Sequence, residues 1–207
     1  MDALKLLQNE RIVPVVVIDD ADVAAPLAEV LFEAGFGAIE ITLRTPATLQ
    51  AIENIVATFP EYCVGAGSVR REEQFVQIKD AGARFAVSSG SSELLLDAAA
   101  RHAMPFVPGA ATASETIRLQ EHGYTLMKFF PAELAGGIRM LKALGAPLPE
   151  ARFFPTGGIS AELARDYLSL TNVTCVGGSW LAPPNLLAAG DFKSIARLAK
   201  DAVGLLT

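Results

Sequence analysis

Apolar residues come in short runs along this chain, separated by longer stretches in which they recur every three or four positions. Eight runs stand out: RIVPVVVI (11–18), GAIEIT (37–42), YCVGAG (62–67), RFAVSS (84–89), PFVPGA (105–110), TLMKFF (125–130), ARFFPTG (151–157) and VTCVGGS (173–179). Each reads as a strand. The stretches between and after them predict helices over 21–34, 47–59, 71–81, 92–102, 113–121, 136–144, 161–168 and 191–203. In the first of these, Ala24, Leu27, Ala28, Leu31 and Phe32 fall on one helical face. A short N-terminal helix is expected ahead of the first strand. Strict alternation of strand and helix implies a parallel sheet with helical crossovers. Eight such units fit a closed (β/α)₈ barrel, a TIM barrel, here expected as a single domain over residues 1–207 because no linker-like tract interrupts the chain. The alternative is an open doubly wound sheet, but the first strand runs into DDAD rather than a Gly-x-Gly turn.

In a barrel, reactive groups gather at the C-terminal ends of the strands, and the unusual polar residues of this chain fall there. Side chains alternate across a strand. In GAIEITLRT, Ile39, Ile41 and Leu43 form one face, and Ala38, Glu40, Thr42 and Arg44 form the other, expected to point inward. A buried Glu40–Arg44 ion pair serving structure alone is the bland alternative. Lys128 ends the sixth run and shares a face with Leu126. A lysine amine has a pKa near about 10.4, and it becomes a nucleophile where burial favours its neutral form. The alternatives for Lys128 are a side chain that escapes to water or a salt bridge to Glu133.

Glycines mark the remaining strand ends. VGAGS closes the third strand, where Ser68 offers a hydroxyl or simply caps the next helix. PTGGIS and VGGSW follow the seventh and eighth strands, the usual place for a phosphate site in this architecture. Gly157, Gly158, Gly178, Ser160 and Ser179 are its candidate components, against the alternative of plain turns.

Composition narrows the function classes. Half of the residues are hydrophobic (51%) and 19% are charged, which suits a chain with a large core. The net charge of −6 argues against nucleic acid as a partner. No apolar run is long enough for a membrane span, and the N-terminal segment lacks the order of a secretory signal. Cys63 and Cys175 lie in apolar runs and are expected as buried free thiols. A cytoplasmic protein follows. His102 and His122 sit at helix ends without partners at metal-ligand spacing, so no metal and no cofactor is expected.

EITLRT, VGAGSV, MKFFPAE, FFPTGGIS and VGGSWL occur in that order, and together they resemble the 2-keto-3-deoxy-6-phosphogluconate (KDPG) and 4-hydroxy-2-oxoglutarate (KHG) aldolases. The likeness spans almost the whole chain. It implies a (β/α)₈ barrel, a homotrimer, and a metal-free class I aldolase that cleaves KDPG to pyruvate and glyceraldehyde 3-phosphate. The unphosphorylated KHG and the galactonate epimer are alternative substrates within that chemistry. A phosphate-ligand binding barrel without catalysis is the alternative outside it. Carried over by motif, Lys128 corresponds to the Schiff-base lysine and Glu40 to the general acid/base. Arg44 and Ser68 hold the pyruvyl carboxylate, and Gly157, Gly158, Gly178 and Ser179 hold the phosphate. Phe130, Ser89, Thr112 and Pro131 line the pocket. Two departures stand out: the family commonly has threonine at the Ser68 position, and Ser-Pro-Gly where this chain has Ser88-Ser89-Gly90.

Overall fold

The computed structural model describes residues 3–204. Among them, strands and helices alternate as the periodicity predicts. Helix α1 (Ala3–Leu7) precedes β1 (Ile12–Val16), α2 (Ala24–Glu33), β2 (Ala38–Thr42), α3 (Thr48–Thr58), β3 (Cys63–Gly67) and α4 (Glu72–Asp80). There follow β4 (Phe85–Val87), α5 (Glu93–Arg101), β5 (Phe106–Val107), α6 (Ala113–Glu121), β6 (Leu126–Phe129) and α7 (Gly137–Gly145). The last part comprises β7 (Arg152–Pro155), α8 (Ala161–Leu168), β8 (Val176–Gly178), α9 (Pro184–Ala188) and α10 (Phe192–Gly204).

Six strands pair side by side in the order β5-β4-β3-β2-β1-β8, and β6 pairs with β7; every pairing is parallel. Backbone bridges close the ring. The amide of Lys128 donates to the Pro108 carbonyl at 2.8 Å, and Ala110 donates to the Lys128 carbonyl at 2.9 Å, joining β6 to the end of β5. Bridges Phe153–Val173 and Thr156–Gly177 join β7 to the β8 side. The result is the expected barrel rather than the open sheet. β5 is only two residues long because Pro108 has no N–H to continue the ladder. The periodic pattern does not predict helix α9. Pro183-Pro184 reads as a breaker, yet a proline is tolerated at the first helical position, where the N–H is free in any case.

Alternation divides the apolar residues into two layers. Ile39, Ile41, Val64, Met127, Phe129 and Phe153 pack outward against the helices in the larger core. Val13, Val15, Ala38, Cys63, Phe85, Val87, Leu126, Phe154 and Cys175 fill the barrel interior. Ala3 and Leu7 of α1 belong to the interior layer, so the N-terminal helix stoppers the lower end of the barrel. Cys63 and Cys175 are buried free thiols, as expected. Burial pushes the Cys63 thiol up to about 11 and the Cys175 thiol higher still, so both stay protonated and inert.

Candidate active site

The lower interior is apolar, and the upper interior is not. Glu40 and Lys128 lie on inward faces of β2 and β6 and are 0% and 3% exposed. Lys128 Nζ donates to Glu40 Oε1 at 2.9 Å and to Oε2 at 3.2 Å. An ion pair buried this deeply would be costly for either partner alone, and each satisfies the other. The aromatic rings of Phe130 and Phe154 stand 5.9 and 5.7 Å from Nζ, so the amine is screened from water on their side. Lys128 therefore neither reaches solvent nor pairs with Glu133, whose carboxylate instead accepts from Tyr167. The alternative Glu40–Arg44 pair does not form either.

Gly67 explains how the carboxylate fits. A Cβ built there would lie 1.9 Å from Glu40 Oε1. The third strand can pass beside the second at this level only without a side chain. Just beyond, Ser68 adopts a left-handed φ of 61°, an uncommon conformation for a residue with a Cβ. That turn brings its hydroxyl to Arg44, whose Nε donates to Ser68 Oγ at 3.3 Å. Ser68 is not the cap of α4. The Gln74 side chain does that work, accepting from the amides of Arg70 and Arg71 at 2.7 and 3.0 Å.

Arg44 sits one turn past β2 and is exposed rather than inside the barrel. The turn is held by the Leu43 amide on the Gly67 carbonyl at 2.8 Å, and by Thr48 Oγ1 on the Thr42 carbonyl at 2.8 Å. Arg44, Ser68, Arg70, Ser88, Ser89 and Leu95 are among the residues lining a cleft of about 640 Å³ at the barrel mouth. Two guanidinium groups and several hydroxyls give this cleft the chemistry to hold an anion.

The glycine loops follow on the other side of the mouth. Gly157 and Gly158 have φ of 105° and 79°, conformations that glycine adopts at little cost. A Cβ on Gly157 would press on the Phe130 ring at 3.1 Å and the Pro131 Cα at 3.3 Å. Ser160 caps α8 by accepting from the Leu163 amide. Gly178 ends β8, and Ser179, exposed, begins a short 3₁₀ turn over Ser179–Leu181. Thr112 is an exposed helix cap: it accepts from the Glu115 amide at 3.3 Å and donates to the Glu115 carboxylate at 2.8 Å, and it is not among the cleft residues.

Two residues of the upper interior are not among the candidates the sequence offers. Phe154 faces Lys128 as described. Thr156, next on the same inward face of the seventh strand, is 5% exposed, and its hydroxyl is buried without a hydrogen-bond partner. The period-two alternation that singled out Glu40 picks out both.

A closed parallel barrel with a buried amine and carboxylate at its mouth, beside a cleft lined by two guanidinium groups, is a framework suited to chemistry on carbonyl compounds. Residues 4–198 match the family model for KDPG and KHG aldolase. The chain belongs to the KDPG and KHG aldolase family. The 2-dehydro-3-deoxy-phosphogluconate aldolase of Pseudoalteromonas atlantica is 46% identical over 192 residues, covering 93% of this chain and 89% of that protein. The KHG/KDPG aldolase of Escherichia coli is 43% identical over 201 residues, 97% and 94% of the two chains. Among solved structures, the KDPG aldolase of Legionella pneumophila, with pyruvate captured at low pH as a covalent carbinolamine intermediate, superimposes with a TM-score of 0.94 at 40% identity over 98% of each chain.

Proposed function

We propose that this protein is a class I aldolase that cleaves KDPG to pyruvate and glyceraldehyde 3-phosphate through a Schiff base on Lys128. The observation that carries this reading is the 2.9 Å contact between the Lys128 amine and Glu40, buried together at the barrel mouth. A proton passed along that contact turns the ion pair into a neutral amine and a carboxylic acid. In that form the amine is a nucleophile. The free amine attacks the C2 ketone to give a carbinolamine. Glu40 returns its proton to the departing hydroxyl, and water leaves as the iminium forms.

The iminium then draws electrons. Glu40, again a carboxylate, takes the proton of the C4 hydroxyl directly or through one water. The C3–C4 bond breaks, its electron pair forms the enamine, and the aldehyde departs. Protonation at C3 and hydrolysis of the iminium release pyruvate and restore Lys128. Arg44, oriented by Ser68, grips the planar carboxylate at one end of the substrate. The Gly157-Gly158 loop, with Gly178 and Ser179, holds the phosphate at the other. Binding energy at the two ends then fixes the keto carbon at the amine. The Escherichia coli relative's name supports KHG as a second substrate of the same machinery.

The resemblance also supports a homotrimer and a cytoplasmic location. Leu94 and Leu134, 78% and 90% exposed at the mouth end of the barrel, are apolar surface that neighbouring copies would cover.

Pyruvate with borohydride should add one reduced adduct, located on Lys128 by peptide mass spectrometry. Lys128→Met should lower KDPG cleavage on the order of 10³-fold or more in a coupled assay of pyruvate release. Full activity in the Met variant, or an adduct on another lysine, would refute the assignment.

A further inference from the structure

The loop after β6 and the loop after β7 are tied together around Glu133, five positions beyond Lys128. Its amide donates to the Gly157 carbonyl at 3.1 Å, beside the Ala132 amide on the Thr156 carbonyl at 2.9 Å. Its Cβ is the surface on which Gly158 rests, since a Cβ at Gly158 would come within 2.9 Å of it. Its carboxylate accepts a hydrogen bond from the Tyr167 hydroxyl. Tyr167 is 0% exposed, although α8 is an otherwise amphipathic surface helix. Burial and the neighbouring Glu133 carboxylate both push the phenol's ionisation up, so it remains a donor. Gly137 leaves room for this contact: a Cβ there would sit 3.1 Å from both Glu133 Oε1 and Tyr167 Oη.

A buried phenol is thus aimed at a carboxylate whose backbone holds one left-handed glycine and whose Cβ supports the next. Packing alone would be served by phenylalanine, which brings no hydroxyl to satisfy. We propose that Glu133 and Tyr167 are positioning residues: they brace the Gly157-Gly158 loop against the Lys128 strand and so set how tightly the phosphate end of the substrate is held. The inference rests on the reading of that loop as the phosphate grip. Neither residue touches the reacting carbons, so the brace acts on substrate discrimination rather than on carbon–carbon cleavage itself.

The test compares KDPG with unphosphorylated KHG for the wild type, Tyr167→Phe, Glu133→Ala and Glu133→Gln. For Tyr167→Phe and Glu133→Ala, KM for KDPG should rise about ten-fold with kcat nearly unchanged, while kcat/KM for KHG moves less than about two-fold. Glu133→Gln keeps an acceptor for the phenol and should recover most of the loss. Inorganic phosphate should compete with KDPG in the wild type and compete more weakly in the two impaired variants. Equal losses on both substrates would make the pair merely structural and overturn the proposal, as would unchanged KDPG kinetics. If phosphate fails to compete with KDPG in the wild type, the phosphate reading of the loop falls, and the brace falls with it. A wild type that responds to phosphate while the variants match it refutes the brace alone. Glu133 lies in an exposed loop, so Glu133→Ala decides the matter even if Tyr167→Phe folds poorly.

Discussion

Lys128 shows how a single side chain acquires a function from its surroundings. In an apolar strand a lysine is a liability; opposite Glu40 and between two phenylalanine rings its amine is paired, desolvated and held still. Gly67 is part of this arrangement although it carries no reactive group. Gly67→Ala should push the Glu40 carboxylate off Lys128, because the new methyl would overlap Oε1. We expect kcat to fall by about 10²-fold, the scale of a lost acid/base group, with the fold kept as judged by circular dichroism. A variant with wild-type kcat would mean that Glu40 is free to work from elsewhere. Period-two alternation was enough to place Glu40 and Lys128 on inward faces. Alternation says nothing of partners, however, and Glu133, five residues from Lys128, was as plausible as Glu40, 88 residues away.

At the scale of elements, most of the architecture was legible because each strand and helix carries its own period. The exceptions are instructive. β5 is cut short by Pro108, and α9 starts on a proline pair that reads as a break. Extending the strand's alternation two residues past Thr42 puts Arg44 on the inward face, whereas the chain turns there and the side chain joins the cleft at the mouth. Helix α1 matters more than its five residues suggest. Leu7 is fully buried in the interior layer with Val13, Cys63 and Phe154. Leu7→Ala should destabilise the protein by roughly 2–5 kcal/mol, the range for a buried leucine, read as a lower urea midpoint with unchanged slope. Because Phe154 borders both α1's layer and the Lys128 amine, loss of kcat without urea, where the variant is still folded, would show that the stopper also tunes the site.

For the whole molecule, barrel closure is the event that makes the site. β6 and β7 form a separate pair that meets the six-strand sheet through the Gly109–Lys128 bridge on one edge and the Thr156–Gly177 bridge on the other. Lys128 arrives on that pair, and Glu40 and the Arg44 cleft arrive on the six-strand sheet. Assembly of copies is the next level. Light scattering should give a mass near three times the 21.8 kDa of one chain. Charged replacements at Leu94 and Leu134 should reduce that mass, and a monomeric wild type would remove the trimer proposal. By itself the sequence determined the alternation of strand and helix, the inward faces, the glycine loops and the family motifs, because these are local patterns written in neighbouring residues. Which carboxylate meets the lysine, where Arg44 stands, and how Tyr167 reaches Glu133 were decided only when the ring closed. Contacts between residues far apart in the chain depend on strand order and register, and no local period encodes them.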